Sequence, residues 1–145
     1  MQISYTIPTI KQHIDMQKEL QTEPVVPLRI GMHIGEVLFE EGKIFGDGVN
    51  LASRIQSLGL ANTILFSEEI HNKIKNNPEF KSASLGSFEF KNVEKAVEVF
   101  VLMNEGLSIP LPDEMEGKLK KKIPVKSNIF RKMWKSLVNQ KPAKL

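Results

Sequence analysis

A strand with two glycines, a glycine-rich turn and an amphipathic helix follow one another between residues 28 and 58, and this succession constrains the fold most. In 28–39, apolar residues alternate with polar residues or glycine, which predicts one continuous strand. Its apolar positions are Leu28, Ile30, Met32 and Ile34. Because Gly31 and Gly35 would weaken such a strand, we expect another element to approach it closely.

The turn and helix that follow have their own signals. "EEGK" predicts a turn, and "IF" predicts the start of a short return strand. The segment "DGVNLASRIQSL", 47–58, predicts a helix with Asp47 as its N-cap. Asn50 and Arg54 lie one turn apart on one side of this helix. The residues predicted on its apolar face are Val49, Ala52, Ile55 and Leu58.

The remaining elements complete an α+β pattern. Residues 8–22 predict a helix, 63–67 a strand, and Ser67 is the predicted cap of a helix in "EEIHNKIKNN". Residues 87–103 predict two strands around a turn at "NVEKA". The order α-β-β-α-β-α-β-β favours a sandwich in which helices pack on a sheet.

Composition excludes several classes of protein. With 145 residues, 41% of them apolar, the chain suits one domain with a real core. The absence of cysteine excludes disulfides, thiolate metal sites and a cysteine nucleophile. There is no apolar run long enough to span a membrane, and the N-terminus lacks the pattern of a signal peptide. We therefore expect a cytoplasmic location.

Charge divides the chain into an acidic body and a basic tail. Residues 1–116 carry 10 Lys and Arg against 17 Asp and Glu, whereas 117–145 carry 10 Lys and Arg and no acid. The folded body is therefore not expected to bind nucleic acid. Residues 107–127 are predicted to form a Pro/Lys-rich linker, and 128–145 a basic amphipathic helix and tail. That helix could contact an anionic membrane or pack on a following domain.

The glycine turn before the predicted helix at 47–58 is the strongest candidate for phosphate chemistry. Neither G-x-x-x-x-G-K-[ST] nor G-x-G-x-x-G occurs in the chain. A glycine turn at Gly46 and Gly48 allows close approach of a ligand, and a helix N-terminus offers free N–H groups. Asn50 can hydrogen-bond a hydroxyl, and the planar guanidinium of Arg54 can hold a phosphate. The alternative is a solvated Asn and Arg on an ordinary surface helix.

Two other groupings carry weaker signals. His33 and Glu36 form H-x-x-E, but on a continuous strand they would point to opposite faces, so we do not assign them to a metal. Ser67 has no His and Asp arranged around it in sequence, so we interpret it as a helix cap rather than a nucleophile.

Two ordered motifs give the chain a resemblance to a known family. "RIGMHIGEV" at 29–37 and "GDGVNLASR" at 46–54 match the patterns R-[IV]-G-[IL]-H-x-G-[ED]-V and G-[DN]-x-V-N-x-A-[AS]-R. These patterns are typical of the class III nucleotidyl cyclases, the adenylate and guanylate cyclase family. The resemblance covers about residues 10–103, taken here as a partial cyclase domain at 1–106. It implies a ferredoxin-like cyclase fold, with helices on a mostly antiparallel sheet and its N-terminal part missing.

The resemblance also implies residue roles. Asn50 would bind near the ribose and Arg54 would stabilise charge on the α-phosphate, while Lys91 would bind the triphosphate. The alternative is that Lys91 is a solvated lysine in a turn, without a binding role. Gly46 and Asp47 are the predicted substrate-binding turn. Lys43 stands where the family often has Asp or Thr against the purine, so the choice between ATP and GTP stays open.

The family's metal-binding aspartates belong to a part of the domain that this sequence lacks. We therefore expect no metal ligand here, with Mg²⁺ or Mn²⁺ held by the missing half or by a partner domain. The resemblance implies a site shared across a homodimer or heterodimer of cyclase domains, and predicts that this chain alone is inactive. A catalytically inactive module for regulation or dimerisation is the alternative.

Overall fold

The computed structural model describes residues 7–23, 25–111 and 114. Those residues form three helices and six strands. The elements are α1 (Ile7–Glu19), β1 (Ile30–Met32), β2 (Leu38–Glu40), β3 (Lys43–Phe45), α2 (Asp47–Leu58), β4 (Ile64–Ser67), α3 (Glu68–Ile74), β5 (Ser82–Phe88) and β6 (Val97–Leu102). The predicted helix at 128–145 and most of the predicted linker lie outside the described residues. No helix within them has the length and apolar character to cross a membrane.

A four-stranded sheet in the order β1-β4-β6-β5 organises the domain. β1 pairs with β4 in parallel, while β6 pairs antiparallel with both β4 and β5. β2 and β3 form a separate two-stranded hairpin. Two of the three pairings in the main sheet are antiparallel, which confirms the predicted α+β fold with a mostly antiparallel sheet.

The two central strands, β4 and β6, send alternate side chains into two cores. One core joins the sheet to α1 and α3, and the other joins it to α2. Ile64 and Phe66 of β4 belong to the first core, whereas Leu65 belongs to the second. The apolar residues of α2 that are buried are Leu51, Ile55 and Leu58. The prediction that Val49 lies on this face was wrong, because Val49 is 37% exposed.

The predicted strand at 28–39 was wrong as a single element, since it is divided into β1 and β2. Met32 pairs with Phe66, and β4 gives way to α3 directly after Ser67. The ladder of β1 therefore has no strand to continue on, and residues 33–37 leave the main sheet. The argument that His33 and Glu36 point to opposite faces assumed one continuous strand, and it does not apply to this segment.

Strand β5 begins at Ser82, five residues earlier than the predicted start at 87. Its first half contains serines and a shift in register between Ser84 and Gly86. Such a bulge interrupts the alternation of apolar and polar residues, which hid the strand from the sequence pattern. The turn predicted at "EEGK" is confirmed, because Glu41 and Gly42 both have positive φ, as a tight hairpin turn requires.

The expected close approach to Gly31 is confirmed by the position of α2. A Cβ atom at Gly31 would lie 2.4 Å from the backbone nitrogen of Gln56 and 2.5 Å from the carbonyl oxygen of Ala52. No side chain fits in that space. Gly31 therefore lets the backbone of α2 rest directly on β1, which fixes the helix that carries Asn50 and Arg54.

Candidate functional site

Helix α2 begins one residue earlier than its predicted cap implied. Gly46 is the N-cap, and Asp47 is the first helical residue, so the prediction that Asp47 caps the helix was wrong. Gly46 has φ 140°, a backbone conformation that residues other than glycine rarely adopt. A Cβ there would also lie 2.7 Å from the carbonyl oxygen of Glu36. Asp47 is exposed in the first turn, where its negative charge suits the helix dipole.

The glycines of the turn pack against the chain's own backbone. A Cβ at Gly35 would lie 2.7 Å from the Cα of Gly48, and one at Gly48 would lie 3.0 Å from the Cα of Gly35. The backbone of residues 35–37 therefore occupies the space beside Gly46 and Gly48 into which a Cβ would project. These contacts set the first turn of α2 against the segment that follows β1.

Asn50 and Arg54 both project from α2 beside its buried face. Asn50 is exposed, and its backbone N–H donates to the carbonyl of Gly46 at 3.2 Å, the first helical hydrogen bond of α2. Arg54 is half-buried, and no residue within the described part of the chain forms an ion pair with its guanidinium. A half-buried arginine whose guanidinium has no carboxylate partner among the described residues is suited to bind an anion.

The two predicted lysines lie on other elements. Lys43 is exposed on β3, with its Cα opposite Glu40 in the hairpin. Lys91 is exposed in the turn that follows β5. Phe90 and Val93, on either side of Lys91, pack against the same core as the buried face of α2. The turn that carries Lys91 is therefore fixed on the face of the sheet that α2 covers.

The β2–β3 hairpin carries an exposed apolar surface that the sequence patterns did not single out. Leu38, Phe39, Ile44 and Phe45 are 69%, 50%, 49% and 49% exposed. Leu38 is paired with Phe45, and Phe39 with Ile44, so each face of the hairpin presents one apolar cross-strand pair. We call these four residues the hairpin surface. Apolar pairs on both faces of the hairpin give it an exposed apolar surface of a kind that often marks a protein contact.

A polar cluster joins the end of β1 to the start of α3. His33 Nδ1 and Ser67 Oγ share a hydrogen bond of 2.8 Å, and Glu69 Oε2 lies 3.5 Å from the same nitrogen. Ser67 is fully buried and is the N-cap of α3 by position, but its side chain makes no capping hydrogen bond. The predicted cap position of Ser67 is confirmed, but its hydroxyl is turned toward His33 and does not bond the first turn of α3.

Acid is expected to destabilise the fold in part through His33 and His71. Burial lowers the pKa of both imidazoles below the ordinary value of 6.5. As the pH falls, the unfolded chain therefore binds protons at these histidines before the folded chain does. The contribution of the two uncharged imidazoles to folding stability is complete above pH 6.5 and is lost as the pH falls through the lowered pKa of the folded state. Thermal unfolding between about pH 7 and 5 should show a smaller acid-induced loss of stability in His33→Asn and His71→Asn. If the melting temperature of both variants fell with pH as steeply as that of the parent, this expectation would be contradicted.

The described residues do not fit a divalent metal ion. Within 7–23, 25–111 and 114, no group of three or more His, Asp or Glu side chains is placed to hold one. Two-metal phosphoryl chemistry needs several carboxylate oxygens converging on the ions.

Comparison with known proteins identifies the family of this chain. Residues 7–104 match the family described as the adenylate and guanylate cyclase catalytic domain. The chain belongs to that family, which accounts for both the sheet and the order of its motifs.

Curated relatives share part of their length with this chain. It is 33% identical over 110 residues to human guanylate cyclase soluble subunit beta-2, which covers 68% of this chain and 17% of that protein. It is 30% identical over 83 residues to a Rhizobium meliloti (strain 1021) protein with the provisional name adenylate cyclase 3, covering 57% of this chain and 14% of that protein. The chain therefore spans only a minor part of these relatives.

A solved structure supports the fold. An adenylate/guanylate cyclase/hydrolase from Silicibacter pomeroyi superposes with a TM-score of 0.61 at 23% identity, covering 71% of this chain and 66% of that one. At that identity the likeness shows the shared fold. The described sheet and its helices thus have the fold of a cyclase catalytic domain, in agreement with the family match.

Proposed function

We propose that this chain supplies the Asn50 and Arg54 side of a nucleotidyl cyclase site, which a second cyclase domain completes. The observation that carries the proposal is the half-buried Arg54, which has no acidic partner within the described residues. It stands one turn beyond Asn50 on the helix that Gly31 holds against β1. Family membership gives this arrangement its chemical context.

The proposed reaction converts ATP or GTP to a 3′,5′-cyclic nucleotide and pyrophosphate. The ribose 3′-hydroxyl gives its proton to water as its oxygen bonds to the α-phosphorus. The bond from that phosphorus to the oxygen that bridges it to the β-phosphate breaks, and pyrophosphate leaves with that oxygen. Asn50 would hydrogen-bond near the ribose and hold the attacking oxygen in place. Arg54 would stabilise the negative charge that builds on the α-phosphate. Lys91 would hold the leaving pyrophosphate by charge.

The proposed purine pocket begins at the hairpin. Lys43 would stand near the base, where an ammonium donates hydrogen bonds and accepts none. It would therefore favour a purine carbonyl oxygen over an amino group. Gly46 and Asp47 would line the turn between the hairpin and α2. Measurements with ATP and with GTP would decide which of the two is the substrate.

The hairpin surface supports a site shared between two domains. Four apolar side chains at about half exposure or more lie directly before the helix that carries Asn50. A second cyclase domain seated on this hairpin would bury them and would bring its own residues toward the α2 face. The divalent metal would be held by that second domain or by a part of the protein beyond the described residues.

A catalytically inactive module is the second candidate. Lys43 departs from the residue types that the family often has at that position. The described residues also provide no group of metal ligands. A domain of this kind would regulate or dimerise with an active cyclase, and its Asn50 and Arg54 would not affect turnover.

Calorimetry with non-cyclisable ATP and GTP analogues tests the proposal. Each analogue is titrated into this chain alone, into a complete cyclase domain alone, and into their mixture, with Mg²⁺ or Mn²⁺ present. We expect nucleotide binding in the mixture that Asn50→Ala and Arg54→Ala weaken and Ser53→Ala does not, because Ser53 is exposed on the same helix. Heat that is identical for all three variants would favour the inactive module.

A further inference from the structure

We infer that His33 is a positioning residue that ties the first turn of α2 to the start of α3. Its imidazole is nearly enclosed, with a side-chain exposure of 11%. The nitrogen Nδ1 is 2.8 Å from the hydroxyl of Ser67, which is fully buried where β4 ends. One end of the connection is therefore anchored in the middle of the domain.

The other end of the connection reaches α2 through glycines. A Cβ at Gly35 would lie 3.3 Å from Cδ2 of His33 and 2.7 Å from the Cα of Gly48, so the imidazole and the first turn of α2 enclose the same residue. The next residue, Glu36, places its carbonyl oxygen against the N-cap Gly46. Rotation of the imidazole away from Ser67 would change its packing on Gly35, the residue that also faces the first turn of α2.

A displacement of residues 33–36 would reach α2 at the backbone amide of Asn50. Its N–H donates to the carbonyl of Gly46, which is held against Glu36. A shift of residues 33–36 would therefore loosen the hydrogen bond that opens the helix. The connection to catalysis rests on the proposed function, whereas the connection from His33 to the amide of Asn50 does not.

Amide hydrogen exchange of the 145-residue chain at fixed pH tests the inference. His33→Phe keeps an aromatic ring and loses the polar atom, whereas His33→Asn keeps a polar atom near the position of Nδ1. His71→Phe is the matched control, because His71 Nδ1 also meets a serine hydroxyl, that of Ser82, on an element remote from α2 in sequence. The reporters are the amides of Asn50 and of Leu65 in the central strand β4.

We expect His33→Phe to raise the exchange rate of the Asn50 amide at least about tenfold relative to the Leu65 amide. Ser67→Ala should do the same, and His33→Asn should restore much of the protection. His71→Phe should leave the ratio of the two rates unchanged. Equal acceleration at both reporters, or no change at Asn50 in either His33→Phe or Ser67→Ala, would overturn the inference.

A kinetic measurement on the assembled site separates this inference from the proposed function. If His33 positions Asn50, His33→Phe should lower kcat more than it raises KM, and His33→Asn should recover kcat. If the proposed function fails, no variant will affect turnover, but the exchange of the Asn50 amide will still report on His33. Turnover that depends on Asn50 but is the same in His33→Phe as in the parent would overturn the positioning role.

Discussion

Replacing Arg54 by alanine is expected to lower the cyclase turnover of the assembled site by at least about 100-fold. Arg54 is half-buried and has no acidic partner among the described residues, so under the proposed function its charge would be available to the α-phosphate. Arg54→Lys should recover only part of the rate, because an ammonium keeps the charge but not the planar pair of donors. The rate of cyclic nucleotide formation by this chain mixed with a complete cyclase domain measures the effect.

Ser53→Ala is the control for the loss at Arg54. Ser53 is exposed beside Arg54, and the family pattern A-[AS]-R accepts alanine at this position. The stability of Arg54→Ala should stay within about 1 kcal/mol of the parent, because no ion pair within the described residues is broken. A turnover of Arg54→Ala close to that of Ser53→Ala would show that the guanidinium does not act on the reaction.

Two charges on the hairpin surface are expected to weaken assembly with a second cyclase domain by at least about 100-fold. In Phe39→Glu/Phe45→Glu, each face of the hairpin gains a carboxylate that association would have to bury. Both phenylalanines are about half exposed in the isolated chain, so its thermal stability should change little. Calorimetric titration of the variant into a complete cyclase domain measures the affinity.

Val25→Glu is the matched control for the hairpin substitutions. Val25 is 61% exposed and lies between α1 and β1, so Val25→Glu adds one carboxylate away from the hairpin surface, as many as each single hairpin substitution adds. The single substitutions then show which face is covered, since Phe39 and Phe45 project from opposite faces. An affinity that falls equally in Val25→Glu and in the double variant would locate the contact elsewhere.

Local patterns predicted some elements well because their causes are local. The bounds of α2 at 47–58 followed from apolar spacing and the preceding glycine turn, and they agree with the structure. β1 was predicted too long because its end is set by β4, its partner, which turns into α3. The start of β5 was missed because a bulge at Ser84 and Gly86 breaks the alternation. Both errors come from pairing between distant segments.

The candidate site was predictable in its residue types but not in its surroundings. Spacing alone left Asn50 and Arg54 open to interpretation as a solvated helix face, and the family motifs supplied their proposed roles. The lack of an acidic partner for Arg54 depends on which carboxylates the fold brings near it. The contact between His33 and Ser67 joins residues 34 positions apart, so no local pattern could indicate it.

Complementation tests the shared site most directly. A cyclase domain that keeps its metal-binding half, but whose own Asn and Arg are both replaced by alanine, is mixed with this chain and supplied with ATP or GTP and Mg²⁺ or Mn²⁺. We predict that neither protein alone forms cyclic nucleotide, that the mixture does, and that Arg54→Ala in this chain abolishes the gain. A mixture that associates by calorimetry but stays inactive would contradict the proposed role of Asn50 and Arg54. Robust turnover by this chain alone would contradict a site that a second domain completes.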